Sequence, residues 1–454
     1  MAKNNLVRGK SNSVLFAGRD GVYEKLAPVF EAINIHWDRA RDVKSLTSKA
    51  RGAGLVIWDA GGPWGESGQV RAYSALGRSK TPFAVYSSDK SIAAIQEARR
   101  YGASEYLFDD FNQREMILRV QALLKNKYRI ACLGGGTGLF TLLSGIKSIP
   151  NTLVTSIVSM ADDGGSSGIL RSEFGILPPG DVRRSLVALS NAPELMNRVL
   201  NYRFDKGKGL SGHSFGNLFL AALSDMEGSM TEAVRKLGDI LNVQGIVLPI
   251  TGQSSRLGAV FEDGTRVVGE SRIDLCKGRS GDLRIAKIFI TPEPQASVEA
   301  LSAILFADLV LIGPGDLYTS VIADLIVKDV REAIHTTRAV RVYVSNLMTK
   351  PGETAGYDLT DHVREILKYL NADALDAVLG SSTGVTAKMA RVYAKKGQAP
   401  VISGNIRALA KDTRAAILLR DLASDTQLVR HDPDKLRRAV REIMRRKKGG
   451  SRVS

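Results

Sequence analysis

The chain has 454 residues, 44% of them hydrophobic and 24% charged, with a formal net charge of +16; this is too long for one ordinary core and predicts a globular protein of two domains. No run of about 18 apolar residues occurs, and the opening MAKNNLVRGKSNS lacks the apolar stretch of a secretory signal, so no membrane span is expected and a cytoplasmic location is predicted. Cys132 and Cys276 are the only cysteines, which leaves no disulfide framework or thiolate metal site and predicts two small buried hydrophobes.

Apolar runs of strand type come at SVLFAG (13–18), GLVIWDA (54–60), PFAVYSS (82–88) and EYLFDD (105–110). Helical spacing separates the last two: Ile92, Ile95, Ala98 and Arg99 share a face before a stop at Gly102. The helix FNQREMILRVQALLK follows. This alternation predicts a flavodoxin-like parallel sheet wrapped by helices over residues 1–126. The stretch RRYGASEYLFDDFNQREMILRVQALLK resembles the end of a response-regulator receiver domain, as do Asp59 at a strand end and Pro63 four residues on. A working receiver gathers Mg²⁺ with an acidic pair after its first strand and holds the phosphoryl group with a lysine after its fifth. Here the first strand leads into Gly18-Arg19-Asp20, with one acid, and Ser87 fits the Ser/Thr position. Asp109 stands where the lysine would be. A carboxylate beside a would-be phosphoaspartate reverses the local field. A degenerate receiver used for docking or sensing is expected, with Asp59 capping the following turn. A short polar hinge, residues 125–129, leads on.

The second unit, residues 127–454, opens with YRIACLGGGTGLFTLLSGIKSI. A strand enters the turn Gly134-Gly135-Gly136-Thr137-Gly138, and a helix follows with Leu139, Leu142, Leu143 and Ile146 on one side. Glycines let backbone N–H groups approach a phosphate, and a helix start adds about half a positive charge. The turn lacks the lysine of a P-loop and departs from G-x-G-x-x-G spacing. The next strand, TLVTSIVSM, runs into MADDGGSSGILR. Asp162, Asp163, Gly164, Gly165, Ser166 and Ser167 there suit a metal-binding loop, a phosphate cradle, a nucleotide-recognition turn or a solvated turn. From Gly134 to Asp162 is 28 positions, against about 20 for the dinucleotide fingerprint.

In LPPGDVRRSLVAL, Asp181 reads as an N-cap with Arg183 and Arg184 in the first turn. Arginine is unfavourable at the positive end of a helix dipole unless an anion is near. His213 and Asn217 flank a glycine turn in GLSGHSFGNLFLAAL, and Gly313-Pro314-Gly315-Asp316 ends another strand. A further strand exits through Asn346, Thr349 and Glu353. Four strand ends running into polar, mostly glycine-rich turns predict a ligand crevice.

Taken in order, GGGTG, ADDGGSSGILR, LPPGDVRRSLVAL, GHSFGN, GPGDLYTS and NLMTKPGET resemble the gluconeogenesis-factor family (YvcK-type), which shares a superfamily with 2-phospho-L-lactate transferase. The resemblance covers nearly all of the second unit. It implies a Rossmann-like three-layer α/β core and a nucleotide-sugar ligand, with UDP-N-acetylglucosamine the usual candidate. It also implies a role in partitioning carbon between gluconeogenesis and cell-wall precursors, in cell shape, a regulatory protein partner, and self-assembly into a homo-oligomer. The transferase branch uses its aspartates with Mg²⁺, so Asp162 and Asp163 are the metal candidates. Tyr393 and Arg430 resemble family positions near the ligand. The family's GPGS turn reads GPGD here, which sets the Asp316 carboxylate where a diphosphate would approach. No general base is evident, and the GGSSG and PPGDVRR patterns belong to the regulatory branch. A UDP-sugar-binding regulator is therefore favoured over a Mg²⁺-dependent phospho-group transferase.

Near the end, Leu436, Ala439, Val440, Ile443 and Met444 form an apolar stripe opposite Arg437, Arg438, Arg441 and Arg445. Residues 427–454 hold ten Lys/Arg against three Asp/Glu, so +7 of the net +16 sits there. Aromatics are only 6% and do not alternate with basic residues, which argues against a nucleic-acid partner.

Overall fold

The computed structural model describes residues 13–62, 64–274, 283–383, 385–424 and 429–448. Pro63 and Cys276 lie outside them. The chain forms two compact units, residues 1–128 with 151–153, and residues 129–150 with 154–454.

The first unit has five parallel strands: β1 (Ser13–Ala17), β2 (His36–Ala40), β3 (Leu55–Asp59), β4 (Phe83–Ser87) and β5 (Glu105–Phe108). Their order is β2-β1-β3-β4-β5, the flavodoxin-like order. Central β3 and β4 are buried at every residue, as their unbroken apolar runs require. The edge strand β2, HWDRA, buries only Ala40, which is why no apolar run announces it. The expected helices form at Ile92–Arg100 and Gln113–Leu124. Ser91 and Asn112 cap them by accepting N–H bonds from Ala94 and Glu115.

Asp59 is fully buried at the end of β3. Arg19 grips it with two guanidinium bonds, Nε to Oδ2 at 2.8 Å and Nη2 to Oδ1 at 3.0 Å. The backbone N–H groups of Arg19 and Gly61 also donate to it, at 3.0 and 3.1 Å. Asp20 turns away to pair with Arg39. The carboxylate thus has an internal cation where a receiver would place its metal and phosphoryl group.

The second unit is built on a parallel sheet of β6 (Tyr128–Gly134), β7 (Thr152–Val158), β8 (Ile246–Pro249), β12 (Leu309–Ile312), β13 (Val340–Val344), β14 (Ala377–Ser381) and β15 (Ala416–Arg420). Between β8 and β12 an antiparallel excursion adds β9 (Arg256–Phe261), β10 (Arg266–Val268) and β11 (Ile285–Thr291). The main order is β8-β7-β6-β12-β13-β14-β15, the Rossmann order extended by one strand. The direction of winding reverses between β6 and β12, where Ile130–Leu133 lie opposite Leu309–Ile312. Ligands of such sheets bind outside the carboxyl ends of the strands at this reversal.

Six helices matter for the site: α1 (Gly136–Ile146), α2 (Gly165–Phe174), α3 (Gly180–Leu189), α4 (Phe215–Glu227), α5 (Glu270–Asp274) and α6 (Pro433–Lys448). The apolar stripe of α6 packs on α1, with Leu436, Ala439, Val440 and Ile443 buried and Met444 half-buried. Each buried aliphatic side chain contributes about 1.5–3 kcal/mol. Gly145 permits this close approach, since a Cβ there would lie 2.2 Å from the Pro433 carbonyl oxygen. Arg438, Arg441 and Arg445 are exposed. Cys132 is buried in β6, and burial pushes its thiol up. No helix among the described residues is long and apolar enough to cross a membrane.

Candidate functional site

The two glycine turns flanking the strand reversal press against each other. A Cβ on Gly138 would stand 2.6 Å from the Pro314 carbonyl oxygen, and one on Gly134 3.6 Å from the Gly313 Cα. Any side chain at position 138 would meet backbone, which cannot yield as a flexible side chain can. Beyond Asp316 the chain enters a π-helical turn, Leu317–Ile322, a wide turn often found at functional sites.

Two cavities open over these turns. The first, about 430 Å³, is lined by Gly135, Gly136, Thr137, Gly138, Arg184, Gly315, Asn346, Tyr393 and Arg430 among the expected residues. The second, about 460 Å³, is lined by Asp162, Gly164, Gly165, Ser166, Ser167, Asp181, Arg183, Arg184 and Asn217. Gly136, Arg184 and Asp316 line both, so the cavities form two arms meeting at the start of α1. Gly134, Asp163, His213 and Gly313 line neither.

In the first arm, Asn346 donates Nδ2 to the Gly315 carbonyl at 2.8 Å. Its Oδ1 is buried without a hydrogen-bond partner, an acceptor that a ligand donor would satisfy. The Tyr393 hydroxyl accepts the Val429 N–H at 3.1 Å, which fixes the ring on the wall. His431 is buried against the Ser345 carbonyl, and burial lowers its imidazole to about 4, so it is neutral at pH 7.

The second arm corrects three expectations. Asp181 is not the N-cap of its helix: α3 begins at Gly180 behind Pro179, and Asp181 sits inside the first turn. It pairs there with Arg184 at 2.8 Å, and burial raises its carboxyl. Arg183 and Arg184 do not act alike. Arg184 reaches both arms, whereas Arg183 is buried, donating Nε to Asn217 at 2.9 Å and Nη1 to the Leu200 carbonyl at 3.4 Å. Burial and Arg184 lower the Arg183 guanidinium to about 10. Asn217 passes the tie onward, donating Nδ2 to Ser166 at 3.2 Å, and His213 Nδ1 lies 3.0 Å from the same hydroxyl. His213 therefore supports the wall from behind.

The third correction concerns the adjacent aspartates. Asp162 accepts the Gly164 N–H at 2.9 Å and stays on the cavity wall. Asp163 turns away. Its Oδ2 accepts the Glu270 N–H at 3.0 Å and its Oδ1 the Ser271 N–H at 2.7 Å, capping α5. Two adjacent carboxylates turned inward would repel, and the chain separates them. They do not form a two-carboxylate metal centre.

By capping α5, Asp163 brings in acids that the motifs did not mark. Glu270 and Asp274 line the second arm. Burial, with Asp274 and Asp162 nearby, pushes the Glu270 carboxyl up to about 9. Asp324 is fully buried below, close to Ser159, and burial holds it well above the usual carboxylate range. Asp316 gains an internal counter-charge. Lys350 Nζ lies 2.7 Å from Asp316, 2.8 Å from Asp274 and 2.7 Å from Glu353. Burial alone would lower the Lys350 ammonium, but Glu353, Asp316 and Asp274 outweigh it and hold it above its ordinary value. Those carboxylates lie within 4.8 Å of one another, and the ammonium stands among them where a metal ion could.

The second unit is similar to proteins of one family. Residues 130–423 match the family model described as 2-phospho-L-lactate transferase CofD. The gluconeogenesis factor of Bacillus subtilis is 39% identical over 320 residues, covering 70% of this chain and 99% of that protein. The gluconeogenesis factor of Halalkalibacterium halodurans is 40% identical over 319 residues, covering 70% and 96%. A crystal structure of a UPF0052-family protein from Bacillus halodurans aligns with a TM-score of 0.65 at 39% identity, over 69% of this chain and 98% of that one.

Proposed function

Because the chain belongs to the CofD family and, within it, to the gluconeogenesis factors, we propose that its second unit is a nucleotide-sugar sensor, with UDP-N-acetylglucosamine as the expected ligand. The observation carrying this reading is the two-armed crevice joined at Gly136, Arg184 and Asp316. Each arm falls in the volume range of small-molecule sites. The diphosphate lies at the junction, where the start of α1 offers backbone N–H groups and Arg184 a fork of donors. The nucleoside occupies the first arm, beside Asn346 and Tyr393. The sugar occupies the second, where Asp162, Ser167 and Glu270 offer hydroxyl partners.

Mg²⁺ accompanies the diphosphate on this reading. Asp162, on the wall of the second arm, would add a carboxylate ligand to a cation held by the phosphates, and Asp163 is excluded by its bonds to α5. The proposed role is to report nucleotide-sugar supply to a protein partner, linking carbon metabolism to cell-wall precursor synthesis and cell shape.

A thermal-shift panel of UDP-sugars, GDP and deazaflavin compounds tests this. Ligand at about 100 times its Kd stabilises by about 2.7 kcal/mol. Saturable stabilisation by a UDP-sugar recovered intact is the expected result. Turnover of a lactyl-phospho donor would overturn it in favour of a transferase.

A further inference from the structure

A third cavity of the second unit, about 540 Å³, shares no lining residue with the crevice. Three arginines from different elements converge on it: Arg171 in the last turn of α2, Arg256 at the start of β9 and Arg272 in α5. Arg171 donates Nη2 to the Ser255 carbonyl and, at 3.3 Å, to the Ser254 hydroxyl. Its Nη1 is buried with no hydrogen-bond partner. Among the described residues none of the three has an ion-pair partner. The single carboxylate in the lining, Asp163, already has both oxygens on the backbone of α5.

Three like charges around one cavity repel, and burial with Arg256 nearby lowers the Arg171 guanidinium. A buried donor without a partner adds a desolvation cost. One tetrahedral dianion relieves both, because guanidinium groups match phosphate oxygens in a planar fork.

We propose that this cavity is a second ligand site, for a phosphoryl group, and that its occupancy is felt in the crevice. The link is short. Asp163 lines the anion cavity and caps α5, Arg272 sits on α5, and α5 carries Glu270 and Asp274 into the second arm of the crevice. An anion drawing Arg171, Arg256 and Arg272 together fixes α5 in place, and the two sites then change each other's affinity by the same factor.

The test uses the full chain and inorganic phosphate, against chloride at matched ionic strength, with thermal stability as readout. Saturable stabilisation is expected in the unaltered chain and in Arg184→Ala, which alters only the crevice. The exposed pair Arg256→Ala/Arg272→Ala should raise the apparent phosphate Kd tenfold or more. The proposal is overturned if phosphate has no effect on the unaltered chain, if the response of Arg184→Ala survives when Arg256→Ala/Arg272→Ala is added to it, or if Arg184→Ala alone abolishes it, which places the anion in the crevice. No nucleotide is present in this assay, so its failure leaves the crevice reading standing. Titrating UDP-N-acetylglucosamine with and without phosphate then tests the coupling. A shift in its affinity seen in the unaltered chain and absent from the double variant is expected, and an equal affinity in both conditions refutes the link.

Discussion

Both units place aspartates at the carboxyl ends of parallel strands, and the two ends have opposite fates. At Asp59 every approach is filled by this chain, with two guanidinium bonds from Arg19 and two backbone N–H groups. At Asp162 one backbone N–H is accepted and the side chain remains on the wall of a cavity. A strand-end carboxylate makes a site only where its neighbours leave it open. An arginine one residue beyond Gly18 closes the first end. Glycines at the strand reversal, where side chains would collide, open the second.

The largest way to break this contrast is to close the open end. Gly138→Ala drives a Cβ to 2.6 Å from the Pro314 oxygen. Overpacking of this kind costs about 1–3 kcal/mol, and the movement it forces falls on the phosphate turn. Nucleotide-sugar affinity should fall about 100-fold or more, which corresponds to about 2.7 kcal/mol. Near-normal binding by calorimetry would show that the turns are not the junction of the crevice.

Next in size, Arg184→Ala removes the one arginine reaching both arms. A hydrogen bond to a charged group contributes about 1.5–3 kcal/mol, so affinity should drop roughly 10- to 100-fold. Stability without ligand should change less, because the Arg184 side chain is 39% exposed.

Opening the closed end is the converse. Arg19→Ala leaves Asp59 buried without its cation. Removing a partner from a fully buried pair costs about 3–5 kcal/mol, but the Arg19 side chain is 47% exposed, which reduces the expected loss to about 1–2 kcal/mol. All three tryptophans, Trp37, Trp58 and Trp64, lie in the first unit. Their fluorescence in a urea titration therefore reports on that unit, and an unchanged midpoint would refute the internal-cation account. The unaltered chain should take no label at Asp59 from acetyl phosphate with Mg²⁺.

The open end is sharpened in another way by pH. The Glu270 carboxyl is raised to about 9 in the fold, against about 4.3 in the unfolded chain. Its contribution to stability is fully present below the unfolded value and is lost as the pH rises towards 9. Glu270→Gln should thus gain melting temperature over the unaltered chain between pH 5 and pH 9, with the gap widening upward. A constant gap would place Glu270 in solvent rather than among the acids.

The crevice was legible in the sequence because its glycine turns are local features: backbone approach to a phosphate is written in GGGTG itself. The Rossmann-like core of the second unit was expected from the family resemblance, and its seven-strand order is read from the structure. β2 was missed because an edge strand such as HWDRA needs no apolar run. Glu270 and Asp274 were missed for a different reason. They reach the crevice only because Asp163 caps α5 more than a hundred residues later, and nothing near GESRID announces that pairing. Asp316 looked like a misplaced charge until Lys350, 34 residues on, proved to be its partner. Asp181 was misassigned by its place in PPGD, since Pro179 is the N-cap and the helix starts two residues earlier than a capping Asp181 would allow.

The central claim is that the crevice binds a nucleotide-sugar without consuming it. Calorimetric titration of the full chain with UDP-N-acetylglucosamine and Mg²⁺, followed by recovery of the ligand, tests it most directly. The account predicts saturable one-to-one binding, intact ligand, and loss of the signal in Gly138→Ala. Absence of binding, or recovery of cleaved or transferred ligand, would contradict it.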